Sequence, residues 1–210
     1  VIDIPKDFTD PEYKFEFNYP SEIKMRSYNP PEGADTSRIK EAADLIATAK
    51  RPVIYSGGGV NQNNASEELT ALAKLLNFPV TNTLMGLGAF PGSDPQFMGM
   101  LGMHGTYQAN TAMHNADLII AVGARFDDRI TNDPNQFALS AKKIHIDVDP
   151  ASVSKIIHAD VPIVGSAKES LTALIEELKS RDLKTNESDI SEWNQQIATG
   201  RDAHGLSQSL

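Results

Sequence analysis

The stretch Asp117-Leu118-Ile119-Ile120-Ala121-Val122-Gly123-Ala124-Arg125 decides the fold of this chain. Its apolar residues run without interruption from 118 to 122 and stop at a glycine. An unbroken apolar strand is buried on both faces, which is typical of parallel sheets that are covered by helices on each side. The sequence therefore predicts an α/β domain with this strand in the interior of its sheet.

Similar strand patterns, separated by helix patterns, occur before and after this strand in the sequence. Apolar runs predict further strands, and apolar residues at helical spacing predict helices between them. The predicted strands are 53–55, 79–81, 117–122, 143–149 and 161–164, and the predicted helices are 36–49, a segment that ends near residue 76, 107–115 and 168–178. This alternation predicts a doubly wound, Rossmann-like parallel sheet, in which ligands bind outside the carboxyl ends of the strands.

Composition excludes several classes of protein. The chain has 210 residues, 40% of them hydrophobic, and a formal net charge of −9. The negative charge and the lack of a basic stripe argue against nucleic acid and anionic membranes as partners. The longest apolar run, 116–124, contains Asp117 and is far shorter than a membrane span. The absence of cysteine excludes disulfides, thiolate metal sites and a cysteine nucleophile.

Three segments follow from these patterns. Residues 1–35 are expected to be the end of a preceding domain plus a linker, because residues 1–5 alternate like a strand and the following residues are rich in proline and acidic side chains. Residues 36–180 are the predicted central domain. Residues 181–210 turn polar and are expected to be a linker toward a following domain, with a helical stretch around Trp193. We therefore expect the chain to be a piece of a longer polypeptide.

Glycine-rich loops follow several of the strands. Gly57-Gly58-Gly59 comes directly after the first strand, where backbone N–H groups at a helix start can approach a pyrophosphate. The same triplet can also be an ordinary tight turn, since it lacks the spacing of the nicotinamide fingerprint. Two more glycine-containing loops, 101–105 and the one at Gly123, favour an extended dinucleotide that lies across the sheet edge.

Charged residues and one histidine occupy the same predicted edge. His104 lies between glycines and is interpreted as a cofactor contact, because no nucleophile or metal ligand accompanies it. Arg125, Asp127, Asp128 and Arg129 form either a salt-bridged loop or a set in which Arg125 faces phosphate and Arg129 a ring or carboxylate. These residue types bind ligands without indicating a reaction.

Two acidic positions remain. Asp147 closes its strand where an acid can bind ribose hydroxyls, although acids there also cap helices. Asp160 and Val161 precede the last strand and are weaker candidates for an adenine-side contact. The residues alone thus predict a dinucleotide-binding α/β domain, and they contain no catalytic triad, paired carboxylates or metal cluster.

Five motifs, in this order, carry a resemblance to one family. They are Ile2-Asp3-Ile4-Pro5-Lys6-Asp7, Thr83-Leu84-Met85-Gly86-Leu87-Gly88, Leu101-Gly102-Met103-His104-Gly105-Thr106, Gly123-Ala124-Arg125-Phe126-Asp127-Asp128-Arg129 and His145-Ile146-Asp147-Val148-Asp149-Pro150. Nearly the whole chain resembles the central domain of the catalytic large subunit of acetohydroxyacid synthases, also called acetolactate synthases, which are thiamine diphosphate enzymes. Ser166 departs from the family pattern, which usually has an aspartate there.

The resemblance implies a magnesium-dependent and thiamine diphosphate-dependent transferase that joins pyruvate to a second pyruvate or to 2-oxobutanoate in branched-chain amino acid biosynthesis. It implies that flanking domains bind thiamine diphosphate and magnesium, so this chain alone is expected to be inactive. It further implies a cytoplasmic flavoprotein that forms a homo-oligomer with a small regulatory subunit.

The resemblance also implies the residues that bind FAD in this domain. They are Gly57, Gly58, Thr83, Leu84, Met103, His104, Gly105, Thr106, Gly123, Ala124, Arg125, Asp127, Asp147, Val148, Asp160 and Val161, and the substrate channel is implied at Met103, Asp128 and Arg129. Two alternatives stay open: the central domain of pyruvate oxidase or glyoxylate carboligase, or a non-catalytic structural or binding module.

Overall fold

A parallel six-stranded sheet forms the centre of the molecule. The structure is a computed structural model that describes residues 3–12, 14, 16–22, 33 and 35–205. The strands are β1 (Pro52–Ser56), β2 (Val80–Asn82), β3 (Phe97–Met100), β4 (Leu118–Val122), β5 (Lys142–Asp147) and β6 (Val161–Val164). Their order across the sheet is β3-β2-β1-β4-β5-β6, and every pairing is parallel. The predicted doubly wound α/β fold is confirmed.

Helices cover both faces of this sheet. They are α1 (Thr36–Thr48), α2 (Gly58–Gln62), α3 (Ser66–Leu76), α4 (Tyr107–Asn115), α5 (Asp128–Thr131), α6 (Ala167–Ser180) and α7 (Glu187–His204), with 3₁₀ turns at Lys6–Thr9 and Leu84–Gly86. Helices α1, α3 and α6 contribute to one apolar core, α4 contributes to the other, and α7 contributes to both. Ile54 faces the first core, whereas Val53 and Tyr55 face the second, as the alternation of a strand requires. Among the described residues, no helix combines the length and the apolar character that a membrane crossing needs.

Helix α1 begins where the sequence predicts it. A carboxylate oxygen of Asp35 accepts hydrogen bonds from the backbone N–H groups of Ser37 at 3.1 Å and Arg38 at 3.3 Å. These bonds satisfy N–H groups that have no partner inside the helix. Ile39, Ala42, Ala43 and Ile46 then place an apolar face on the sheet. The cap at Asp35 and the apolar face that follows it therefore both place the start of α1 at Thr36.

Strand β3 was not predicted. It lies at the edge of the sheet, and its pairing with β2 shifts register between Val80 and Asn82. Gly99 inside the strand has φ +89°, a conformation that favours glycine. The Thr81 hydroxyl donates to the Gly99 carbonyl oxygen at 2.8 Å, so the irregular strand is fixed by its neighbour. A short edge strand with a glycine kink has no periodic sequence signal.

The segment after residue 180 packs on the domain. Trp193 and Ile197 of α7 are buried in the second core, and Trp193 Nε1 donates to the carbonyl oxygen of Pro52 at 3.0 Å. The helical stretch predicted around Trp193 is therefore present and makes tertiary contacts. The assignment of 181–210 as a linker toward another domain stays a prediction. The assignments of 1–35 and 36–180 also stay predictions.

The expectations for the N-terminal segment are only partly within the described residues. Of the strand predicted over 1–5, Val1 and Ile2 lie outside the described residues, and residues 3–5 have no regular secondary structure. In the predicted linker, the described residues before Asp35 contain a single 3₁₀ turn. Residues 13, 15, 23–32 and 34 also lie outside the description.

Candidate functional site

The loops that follow β1 and β4 touch through their backbones at the carboxyl edge. The N–H of Gly57 donates to the Val122 carbonyl oxygen at 2.9 Å, and the N–H of Gly59 donates to the Gly123 carbonyl oxygen at 3.1 Å. A Cβ atom on Gly57 would overlap the carbonyl oxygen of Gly123. The glycines are therefore required by the close approach of two loops, in addition to any role in binding.

A buried polar pair fixes the loop after β2 beside them. The Ser56 hydroxyl donates to Asn82 Oδ1, and Asn82 Nδ2 donates to the Gly86 carbonyl oxygen at 2.9 Å. Asn61 of α2 adds a bond from Nδ2 to the Met85 carbonyl oxygen at 3.0 Å. Sequence reasoning missed Ser56, Asn82 and Asn61, because single polar residues in apolar runs give no motif. Their role here is to hold the loop that carries Thr83 and Leu84.

A cavity of about 270 Å³ opens between these loops. It is lined by Tyr55, Gly58, Thr83, Leu84, Met85, Gly123, Ala124, Arg125, Asp127, Arg129 and Ile130. Pockets that enclose a whole small ligand measure roughly 300–1,000 Å³, so this cavity can hold one part of a dinucleotide while the rest lies along the edge. A larger cavity, about 620 Å³, lies away from this edge, between the ends of α3 and α6 and the start of α7.

The rim of the cavity carries paired charges. Arg125 Nη2 lies 3.0 Å from Asp127 Oδ2, and Arg129 lies 3.9 Å from Asp128. A hydrogen bond with Asp128, the backbone N–H of Arg129 and the charge of Arg125 hold the pKa of Asp127 below its ordinary value. The Arg125 side chain is 74% exposed, so its ion pair is weak and can be exchanged for a ligand oxygen. This geometry is compatible with both sequence interpretations, the salt-bridged loop and the phosphate site.

Aromatic side chains of the second core hold the loop after β4 in place. Phe126 has φ +54°, and its buried ring lies 5.6 Å from that of Tyr55 and 5.2 Å from that of His145 between ring centroids. His145 Nε2 lies 2.8 Å from the Ala124 carbonyl oxygen and must therefore donate, since a carbonyl only accepts. Burial lowers the pKa of His145 although Asp147 and the Ala124 carbonyl act in the opposite direction. The imidazole is thus a neutral structural donor.

The loop after β3 reaches the same rim. The N–H of Met103 donates to the Arg129 carbonyl oxygen at 3.2 Å, and Asn110 bonds both the N–H and the C=O of Gly102. Met103 is 68% exposed and His104 is also exposed. These two predicted site residues are therefore presented to solvent beside Arg129.

Gly105 and Thr106 shape this loop from within. A Cβ on Gly105 would overlap the Met100 carbonyl oxygen. The Thr106 hydroxyl donates to the Met98 carbonyl oxygen at 2.6 Å and accepts from the Ala109 N–H at 3.2 Å, which caps α4. Both residues have structural functions that are complete without a ligand.

Asp147 and Val148 lie at the carboxyl end of β5. Asp147 Oδ1 accepts from the N–H of Asp149 at 2.9 Å, which forms a local turn and no helix cap. The N–H of Gly165, just after β6, donates to the Asp147 carbonyl oxygen at 2.9 Å. These residues share the edge with the cavity, and Val148 is exposed there.

Asp160 and Val161 are not brought to this edge. Val161 starts β6 and pairs with Ile144, whereas Val164 at the end of β6 pairs with Asp147. Asp160 binds Lys142 Nζ at 2.7 Å and the Lys143 N–H at 2.9 Å, at the amino ends of β5 and β6. Burial raises the pKa of Asp160, but these bonds and charges outweigh burial and leave the pKa lowered. The residues that do reach the edge are Gly165 and Ser166, directly after β6, which the rule for strand ends could have identified.

Taken together, the strand order and the glycine-lined carboxyl edge define a doubly wound, Rossmann-like α/β domain. Within the described residues, no group of three or more acidic or histidine side chains could hold a metal ion. Residues 39–174 match the model of the family described as thiamine pyrophosphate enzyme, central domain, and the chain belongs to this family.

Relatives match almost the whole chain. The chain is 47% identical to the acetolactate synthase large subunit of Haemophilus influenzae over 94% of this chain and 34% of that protein. It is 45% identical to the acetolactate synthase isozyme 3 large subunit of Escherichia coli over 96% of this chain and 35% of that protein. It is 47% identical to the large subunit from Corynebacterium glutamicum over 92% of this chain and 30% of that protein. The chain therefore spans about a third of the length of these relatives.

Proposed function

We propose that this chain is the FAD-binding central domain of an acetolactate synthase large subunit. One observation carries the proposal: three acetolactate synthase large subunits are 45–47% identical to it over more than nine-tenths of its length. The enzyme containing such a domain condenses pyruvate with a second pyruvate or with 2-oxobutanoate. No feature of the described residues favours pyruvate oxidase, glyoxylate carboligase or a purely structural module.

The carboxyl edge fits an extended flavin dinucleotide. Gly57, Gly58 and Gly123 have no side chains that would cover the backbone between β1 and β4. Arg125 is a mostly exposed cation at the rim, suited to a diphosphate oxygen. Thr83 and Leu84 line the same cavity. FAD in this type of domain supplies no net oxidation or reduction to carboligation, so the function of these residues is to bind and orient it.

The topology supports a revised set of contacts. The loops after β1, β2, β3 and β4 and the end of β5 share one edge with the cavity, which supports the positions from Gly57 to Val148 as candidates. Asp160 and Val161 are left out of the proposed set, because they lie at the amino ends of their strands. Gly165 and Ser166, at the carboxyl end of β6, take their place.

Three exposed residues are suited to a surface that faces another domain. Met103 lies in the loop after β3 beside Asp128 and Arg129 at the start of α5, linked by the bond from the Met103 N–H to the Arg129 carbonyl oxygen. We assign them to the substrate channel between this domain and its neighbours. Thiamine diphosphate and magnesium belong to the flanking domains in this proposal, as do the catalytic groups. The proposal also includes that the enzyme containing this domain is a cytoplasmic homo-oligomer that binds a small regulatory subunit.

Titration with FAD tests this function. The chain is mixed with FAD and flavin fluorescence is followed, with FMN, ADP and NADH as competitors. We expect saturable binding in which FAD outcompetes the other three. A cooperatively folded chain that binds ADP as tightly as FAD, or neither of them, would instead indicate a module that does not use flavin.

A further inference from the structure

Tyr55 carries a polar group that the fold leaves without a partner. The residue stands one position before the end of β1 and has 0% of its surface exposed. Its hydroxyl makes no hydrogen bond to any residue in the described part of the chain. Buried polar groups normally have partners, and one without a partner costs free energy. A phenylalanine would fill the same space against Phe126 without this cost.

The hydroxyl group keeps its proton. Burial raises the pKa of Tyr55, and the nearby carboxylate of Asp127 raises it further. The Tyr55 hydroxyl is therefore neutral near pH 7, and it can donate one hydrogen bond. Asp127 is close enough to affect the pKa, yet no hydrogen bond joins the two side chains.

Tyr55 belongs to the wall of the candidate cavity. Asp127 and Arg125 line the same cavity, and so do Leu84 and Met85. The side chains of Leu84, Met85 and Arg125 are mostly exposed. A ligand can displace these three side chains without disturbing the core, and Tyr55 would then form part of the surface that it meets.

We propose that the Tyr55 hydroxyl donates a hydrogen bond to an acceptor atom of the dinucleotide that occupies this cavity. The proposal rests on the proposed function and adds a residue to it. Charged groups occupy the rim, whereas Tyr55 supplies a neutral donor from the buried part of the wall. A neutral donor discriminates by the position of an acceptor atom and not by the charge of the ligand.

Tyr55→Phe tests this inference because it removes one oxygen atom and keeps the ring. Tyr107→Phe is the matched control, since Tyr107 packs against His204 and does not line the cavity. Two quantities are measured for each chain: the thermal unfolding midpoint without nucleotide, and the Kd for FAD from flavin fluorescence.

We expect Tyr55→Phe to unfold at the same or a higher temperature without nucleotide, and to bind FAD about 2-fold to 13-fold more weakly, the range for one neutral hydrogen bond. Tyr107→Phe should bind FAD like the parent chain. A role in folding alone predicts the reverse pattern, with a lower midpoint and unchanged affinity.

Each contrary outcome has a distinct meaning. Equal Kd values for the parent chain and Tyr55→Phe would overturn the inference and leave the proposed function standing. A lower midpoint, or failure of Tyr55→Phe to fold, would show that the hydroxyl has a structural partner, which also overturns the inference. A parent chain that folds but does not bind FAD would overturn the proposed function and the inference together.

Discussion

The imidazole of His145 on β5 is joined to the backbone of the β4 loop, with 2.8 Å between Nε2 and the carbonyl oxygen of Ala124. This bond crosses from one strand to the end of its neighbour and fixes the segment that continues into Arg125. The ring is buried, and its Nδ1 has no hydrogen-bond partner among the described residues. Protonation would place a charge in the core and leave the new Nδ1–H without an acceptor among the described residues, so burial favours the neutral ring.

The first prediction concerns pH. The pKa of His145 is lowered from 6.5 in the folded chain, so the unfolded chain binds a proton first as the pH falls. Stability contributed by the neutral ring is therefore complete above about pH 6.5 and is lost from there down to the lower folded pKa. We expect His145→Gln to flatten this part of the profile, measured as the free energy of unfolding in urea between pH 5 and 8. An unchanged slope would show that other groups cause it.

The second prediction tests the contact between the β1 and β4 loops. Gly57→Ala would force a Cβ atom into the Gly123 carbonyl group, so we expect a loss of about 1–3 kcal/mol or more in the free energy of unfolding. Gly200→Ala is the control. It lies inside α7, where a Cβ would meet two Tyr107 ring carbons, the nearer at 3.6 Å, and it should stabilise the chain by about 0.5–1 kcal/mol. Equal effects of the two substitutions would contradict the proposed contact.

The third prediction concerns Arg125. If its guanidinium binds the diphosphate, Arg125→Ala should weaken FAD binding by about 1.5–3 kcal/mol, the range for a hydrogen bond to a charged group. Arg38→Ala is the matched control, because Arg38 also forms an exposed ion pair, with Glu41 at 2.6 Å on α1. The control should leave FAD affinity unchanged in the same fluorescence titration. Equal affinities of the parent chain and Arg125→Ala would remove Arg125 from the site.

The fourth prediction concerns α7. Trp193→Phe removes the bond to Pro52 and leaves its carbonyl oxygen buried, so we expect a loss of about 1–3 kcal/mol in the free energy of unfolding. Circular dichroism is the suitable probe, because the substitution removes the single tryptophan. Asn194→Ala, which removes only the solvent-exposed hydrogen bond from Nδ2 to the Asn77 carbonyl oxygen, should cost less. A linker without tertiary contacts would show no difference between the two variants.

Local sequence chemistry was sufficient for most of the fold. Continuous apolar runs identified β1, β4, β5 and β6, and Asp35 marked the start of α1, because each signal is contained within a few residues. Strand β3 was missed, since its structure depends on the neighbouring β2 and on a glycine at positive φ. The short helix α2 was also missed. It opens with Gly58 and Gly59, which have low helix propensity, and it is fixed by the β4 loop.

The candidate site was predicted less completely than the fold. Residues directly after strands lie together at the carboxyl edge, as predicted from the sequence, because the parallel arrangement itself puts them there. Asp160 was placed with them although it precedes its strand, and only the register of β5 and β6 shows that it lies at the opposite end. Tyr55 gave no signal at all, since a tyrosine in a buried strand is an ordinary core residue until its hydroxyl is found without a partner.

The pairing of β1 with β4 has a consequence for how this chain folds. These strands lie side by side at the middle of the sheet, yet β2 and β3 separate them along the polypeptide. Closing so long a loop costs entropy before any contact compensates for it, which slows folding. The contact between Gly57 and Gly123 can form only after that closure. The first half of the chain forms one side of the binding edge, and the second half forms the other side. A nucleotide can therefore bind at this edge only after the two halves have come together.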